Sequence, residues 1–221
     1  MNFIKYNNLK MPKIKIAPSI LSADLSNINQ EVKEIEKYAD LIHVDIMDGI
    51  FVKPITVDAN FVKKIKTKVP LDIHLMVHEP SESNLKSFID AGAYSIIIHQ
   101  EACKDPSNQI NFIKKNKTKA CISIKPKTSL DKIKKYLDFV DMVLIMTVEP
   151  GYAGQKFILS TMSKVKELRK LKPNLDIEVD GGINLETAKL AKDGGADIVA
   201  SASYIFGSKN PKKAYEKLKN A

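Results

Sequence analysis

The sequence predicts an α/β fold, a single (β/α)8 barrel. Three observations carry that expectation. Eight short apolar runs follow one another along the chain, segments with helical periodicity lie between most of them, and no Pro/Gly/Ser-rich linker divides the 221 residues. Near-continuous apolar strands alternating with helices imply a parallel sheet covered by helices. Eight such units in a chain of this length suit a closed barrel better than an open sheet.

The elements follow in order. Residues 1–13 are polar and form a short N-terminal extension, and residues 14–221 hold the barrel. The first strand lies at roughly 15–21, within KIKIAPSIL, and is followed by the helical pattern SNINQEVKEIEKYA. The second, 41–46 (LIHVDI), leads into a short helix in DANFVKKIKT. The third, 71–77 (LDIHLMV), precedes SESNLKSFIDAG, and the fourth, 95–99 (SIIIH), precedes PSNQINFIKKN. The fifth, 119–125 (KACISIK), precedes SLDKIKKYLDF, and the sixth, 141–147 (DMVLIMT), precedes LSTMSKVKELRKLK. The seventh, 176–180 (DIEVD), precedes NLETAKLAKDGG, and the eighth is 197–202 (DIVASA).

Composition narrows the function classes. Hydrophobic residues make up 44% and charged residues 28%, an ordinary soluble composition. No apolar run approaches the ~20 residues of a membrane span. The start MNFIKYNNLKMPK has no continuous apolar core, so no secretory signal is expected. Cys103 and Cys121 form no CxxC and read as packed thiols in a reducing compartment, so a cytoplasmic protein is expected. The net charge of +9 raises the question of nucleic acid, but Arg169 is the only arginine and the lysines are scattered. Base reading favours arginine, so the lysines read as solvated surface and neither nucleic acid nor membrane is expected as a partner.

Ionisable residues interrupt the apolar runs at particular places. Side chains at i and i+2 of a strand share a face. His43 and Asp45 therefore point the same way as Leu41, while Ile42, Val44 and Ile46 point the other way. His74 ends the third strand, His99 the fourth and Asp180 the seventh; Glu149 follows the sixth and His78 lies just beyond the third. Barrels of this kind keep their chemistry at the C-terminal strand ends. Burying a polar group unpaired costs roughly 2–7 kcal/mol, and a charge more. So many ionisable strand ends suggest a metal or catalytic site.

The motifs APSILSADL, HVDIMDG, DIHLMV, MTVEPGYAGQKF and EVDGGIN together resemble the ribulose-phosphate 3-epimerase family, in family order from about Ile16 to Phe206. The resemblance implies a TIM barrel of the ribulose-phosphate-binding type. It implies an isomerase of the pentose-phosphate pathway, interconverting D-ribulose 5-phosphate and D-xylulose 5-phosphate with one divalent metal ion. A sugar-phosphate substrate and a homo-oligomer are expected. The family's metal ligands fall on His43, Asp45, His74 and Asp180, and its acid/base pair on Asp45 and Asp180. Its substrate contacts fall on Ser19, His74, Asp180, Gly151, Tyr152, Ala153, Gly154, Gly181, Gly182, Ala202 and Ser203. Its methionines near the reacting carbon fall on Met47, Met76 and Met146, which serve as core filling or as apolar cover. His99 and Glu149 stay outside this set.

These residue types suit the implied reaction. Inverting C3 of a 2-ketose means removing a proton from one face and returning one on the other. Strands two and seven lie apart around the ring, so Asp45 and Asp180 flank a substrate at the barrel mouth. The cis-enediolate formed carries charge that a Lewis acid stabilises. Two imidazoles and two carboxylates suit Zn, Fe(II), Co or Mn better than Mg. The glycines of EPGYAGQ and DGG let backbone N–H groups approach a phosphate. Three departures stand out: MDGIFVKPIT where the family usually reads MDGHFVPNIT (Ile50, Lys53 and Pro54), Tyr152-Ala153 where Phe-Gly is common, and Ala202 where glycine is usual. The first keeps open the alternative of a hexulose-phosphate 3-epimerase, acting on a substrate such as D-allulose 6-phosphate. A barrel lyase or decarboxylase, which typically carries a D-x-K-x-x-D run, and a noncatalytic scaffold fit less well.

Overall fold

The structure, a computed structural model, describes residues 14–221; the expected extension over residues 1–13 lies outside the described residues. Eight strands form: β1 Lys15–Pro18, β2 Ile42–Met47, β3 Leu71–Met76, β4 Ala93–His99, β5 Lys119–Ile124, β6 Met142–Met146, β7 Asp176–Asp180 and β8 Ile198–Ser201. Each pairs in parallel with its sequence neighbour from β2 through β8, and β8 pairs with β1. A parallel bridge between Ser19 and His43 ties the β1 edge to β2, so the sheet is nearly closed into a barrel.

Helices cover the outside: α1 Ile28–Ile35, α2 Ala59–Val62, α3 Glu82–Asp90, α4 Ser107–Lys115, α5 Met162–Leu171, α6 Leu185–Gly194, α7 Ser203–Phe206 and α8 Pro211–Lys219. Two features differ from the sequence reading. SLDKIKKYLDF forms two 3-10 turns, Leu130–Lys132 and Lys134–Tyr136, in place of a helix. Its buried Leu130, Ile133 and Tyr136 recur every third residue, which a 3-10 turn stacks on one side. After β8 the chain adds α7 and α8; α8 starts on Pro211 with the Asn210 side chain accepting from the Lys213 N–H at 2.9 Å.

The strands are buried on both faces because two separate apolar layers meet them. Ile42, Val44 and Ile46 of β2 join the large cluster between barrel and helices. Leu41 joins the barrel interior with Ala17, Ile97, Cys121, Leu144 and Ile198. The alternate interior positions nearer the C-terminal strand ends are polar: His43 and Asp45 on β2, Asp72 and His74 on β3, Glu178 and Asp180 on β7. The register sets His43 beside Asp72 and Asp45 beside His74. No helix among the described residues is long and apolar enough to cross a membrane.

Candidate active site

The ligand atoms of His43, Asp45, His74 and Asp180 all lie within 4.8 Å of one another. His74 Nδ1 is 3.0 Å from Asp45 Oδ1 and 3.8 Å from Asp180 Oδ2. His43 Nε2 is 3.4 Å from Asp45 Oδ1, 4.0 Å from Asp180 Oδ2 and 3.3 Å from His74 Nδ1. Strand pairing brings Asp45 to His74, and barrel closure brings β7 across from β2. Ser19, at the end of β1, donates its hydroxyl to Asp45 Oδ2 at 2.6 Å, which leaves Oδ1 facing the two imidazoles.

A second layer of ionisable groups supports the first. His43 Nδ1 meets Asp72 Oδ2 at 3.0 Å, and Ser95 donates to the other Asp72 oxygen. Glu178 Oε1 comes within 3.3 Å of the same nitrogen, but that nitrogen has one hydrogen and Asp72 takes it, leaving both Glu178 oxygens without a hydrogen bond. On the other side, His74 Nε2 lies 2.9 Å from His99 Nε2, and His99 Nδ1 lies 3.3 Å from Glu101 Oε2.

Electrostatics divide the two aspartates. Burial alone would push Asp45 up, but the His43 charge and the bonds to His43 and His74 hold it well below the usual carboxylate range. Asp180 is pushed up to about 6 by burial and by the Asp45 charge beside it. Burial opposes a charged His43, yet Asp45, with Asp72 and Glu178, raises it well above an ordinary histidine. Glu178 rises to about 8 through burial and the Asp72 charge, so it holds its proton at neutral pH. These values describe the ring and carboxyl groups with protons as their only cations. Two imidazole nitrogens and carboxylate oxygens aimed at one small space form a donor set that fits a divalent ion, and Asp72 turns the His43 ring so that Nε2 faces inward.

A cavity opens above these groups at the C-terminal mouth. Ser19, Asp45, Asp180, Met47, Met76 and Met146 line its floor and wall, and Gly151 to Gly154, Gly181, Gly182, Ala202 and Ser203 line the rest. His43 and His74 are fully buried and do not line it; each reaches the shared space through one ring nitrogen. Gly181 has φ +114° and Gly182 φ +66°, backbone that favours glycine. A Cβ on Gly182 would lie 2.6 Å from the Phe157 nitrogen. The variant loop folds back on itself: Asp48 Oδ1 accepts from the Ile50 and Phe51 N–H groups, and Val52 and Pro54 border Gly151. Ile50 is 74% exposed, so it points away from the core.

Asp72, Glu178 and Glu101 were absent from the sequence reading. Asp72 and Glu178 stand two residues before His74 and Asp180, so strand alternation alone puts them on the same inner face. Glu101 follows β4, where a 3-10 turn over Gln100–Ala102 swings it back onto His99. Glu149 is exposed, and its carbonyl accepts from the Gln155 amide at 2.6 Å.

Residues 15–206 match the model of the Ribulose-phosphate 3 epimerase family. The chain is 42% identical over 216 residues to the ribulose-phosphate 3-epimerase of Bacillus subtilis, covering 94% of this chain and 99% of that one. It is 41% identical over 217 residues to the ribulose-phosphate 3-epimerase of Methanocaldococcus jannaschii, covering 94% and 91%. Among solved structures, a 3-hexulose-6-phosphate synthase from Salmonella typhimurium superposes with a TM-score of 0.74 at 19% identity, covering 94% and 97% of the two chains. At that identity the likeness is one of fold alone.

Proposed function

The chain belongs to the ribulose-phosphate 3-epimerase family and is an isomerase, and from that premise we propose that it interconverts D-ribulose 5-phosphate and D-xylulose 5-phosphate by proton transfer at C3 between Asp45 and Asp180. The observation that supports this reading is the convergence of His43, Asp45, His74 and Asp180 on one space beneath a glycine-lined cavity.

One aspartate takes the C3 proton and the other returns one to the opposite face, through a cis-enediolate. In the metal-free protein Asp45 is held ionised and is the weaker base of the two, while Asp180, pushed up to about 6, has the proton affinity that suits transfer near neutral pH. Ser19 fixes Asp45 by its 2.6 Å bond, so the carboxylate does not rotate away from the substrate. His43, Asp45, His74 and Asp180 would hold a single divalent cation (Zn, Fe(II), Co or Mn), which would supply Lewis-acid stabilisation of the negative charge developed on the substrate. Met47, Met76 and Met146 exclude water beside the reacting carbon. The N–H groups around Gly151 to Gly154, Gly181, Gly182 and Ser203 hold the phosphate.

The test is turnover of ribulose 5-phosphate in D2O. Xylulose 5-phosphate formed early should carry deuterium at C3. An Asp45→Asn or Asp180→Asn variant should exchange the C3 hydrogen of one epimer without converting it. Conversion by either variant at the normal rate would defeat the two-aspartate reading. D-allulose 6-phosphate in the same assay decides the hexulose alternative that Ile50, Lys53 and Pro54 leave open.

A further inference from the structure

The side chains behind His74 form a line with one direction. Glu101 Oε1 accepts from the Lys125 N–H at 2.8 Å and from the Thr128 hydroxyl. Its other oxygen faces His99 Nδ1 at 3.3 Å, and His99 Nε2 faces His74 Nε2 at 2.9 Å. Both rings are fully buried. Lys164 of α5 donates to the carbonyls of Lys125, Pro126 and Thr128, and so fixes the loop that holds Glu101.

Two facing imidazole nitrogens share one hydrogen. An ionised carboxylate accepts only, and a neutral imidazole carries one N–H. Glu101 therefore takes the hydrogen of His99 Nδ1. Asp45 Oδ1 lies 3.0 Å from His74 Nδ1 and would claim a hydrogen there in the metal-free protein. With the divalent ion proposed above between them, His99 Nε2 is bare and accepts from His74 Nε2–H, and the lone pair of His74 falls on Nδ1, toward the ion. We propose that Glu101, acting through His99, is a positioning residue that sets the tautomer and ring orientation of His74. The direction of this line rests on the ligand role proposed above for His74.

Glu101→Gln tests the direction of the line. The Gln oxygen keeps the Lys125 and Thr128 donors, since the flipped amide would set NH2 against the Lys125 N–H. Its NH2 then faces His99 Nδ1, which must accept. The His99 hydrogen moves to Nε2, and His74 is driven to carry its hydrogen on Nδ1, where it blocks the lone pair.

The readout is nitrogen–proton correlation spectroscopy of the full chain with 15N-labelled histidine, zinc-loaded and after chelation. His99 is the reporter, because it lies outside the space the four ligand atoms share. Zinc-loaded wild-type His99 should carry its hydrogen on Nδ1. Glu101→Gln should move it to Nε2, keep the circular dichroism spectrum, and lower zinc affinity about 10–100-fold by chelator competition. Zinc-loaded wild-type His99 with its hydrogen on Nε2 overturns the proposal even if the variant fails to fold. So does a folded variant with unchanged tautomers or unchanged zinc affinity. His74→Ala separates the two readings: zinc affinity unaltered by that substitution defeats the ligand role, whereas affinity lost there but kept in a folded Glu101→Gln defeats the positioning role alone.

Discussion

His43 Nε2 and His74 Nδ1 face each other at 3.3 Å, with Asp45 Oδ1 within 3.4 Å of both. Two bare ring nitrogens repel at that distance, so a cation or a proton belongs between them. In the metal-free protein that cation is a proton: burial opposes it, but the Asp45 charge and the bonds to Asp45, Asp72 and Glu178 raise His43 well above an ordinary histidine.

Metal binding must displace that proton. Groups whose metal-free pKa is raised bind protons that compete with the ion, so affinity falls as pH falls. At pH 7 the proton on His43 should be released; below about pH 6 Asp180 must give up a second. Affinity should drop about tenfold per pH unit near neutrality and more steeply in acid. Calorimetry in buffers of different ionisation enthalpy counts the protons, and binding at pH 7 without proton release would contradict the site.

Asp45→Asn and Asp180→Asn should each lower kcat by about 10²–10⁴-fold. Their stabilities should diverge in the metal-free protein. Asp45→Asn leaves His43 and His74 without their shared partner, a loss of about 3–5 kcal/mol for a broken buried pair. Asp180→Asn removes a like charge beside Asp45, so it should melt no lower than wild type. Thermal melts after chelation check the ordering, and equal destabilisation would show that the two carboxyls do not differ in environment.

How much of this was legible in the sequence depends on which residues carried a periodic signal. All eight strands were, because buried parallel strands leave unbroken apolar runs. The inward face of β2 was, from the spacing of His43 and Asp45. The 3-10 turns over 130–136 were not, because buried residues three apart fit the first turn of an α-helix equally well. Asp72 and Glu178 share the inner face by alternation, yet nothing local says that an acid there meets His43, since that contact depends on β7 coming round the ring. The His99–His74 contact likewise needs two neighbouring strands at one height.

The mouth glycines separate into two kinds. Gly154 has φ +75° with nothing within 4 Å of an added Cβ, so Gly154→Ala should cost only about 1–2 kcal/mol of backbone strain. Gly182 has φ +66° and backbone atoms of Phe157 and Gln155 within 3 Å of the added carbon. Overpacking adds about 1–3 kcal/mol to the strain, and the shifted loop should raise KM for ribulose 5-phosphate. Denaturant unfolding and steady-state kinetics on both variants would show it; equal effects would mean that the Phe157 approach is not constraining.

The last prediction concerns phosphate and the methyl of Ala202. Gly151 to Gly154, Gly181, Gly182 and Ser203 line the cavity, whereas His43 and His74 do not. Binding energy from a remote phosphate positions the reacting carbon, so free ribulose should turn over with a far lower kcat/KM than ribulose 5-phosphate. Ala202 has φ −94° and ψ −86°, a negative φ that does not demand glycine, and it keeps its backbone N–H. Ala202→Gly should therefore lower KM slightly or leave it unchanged, with kcat constant, the pattern of uniform binding. A fall in kcat on removing this methyl would mean that it orients the substrate. Equal kcat/KM for the phosphorylated and free sugars would remove the phosphate from the site whatever Ala202 does.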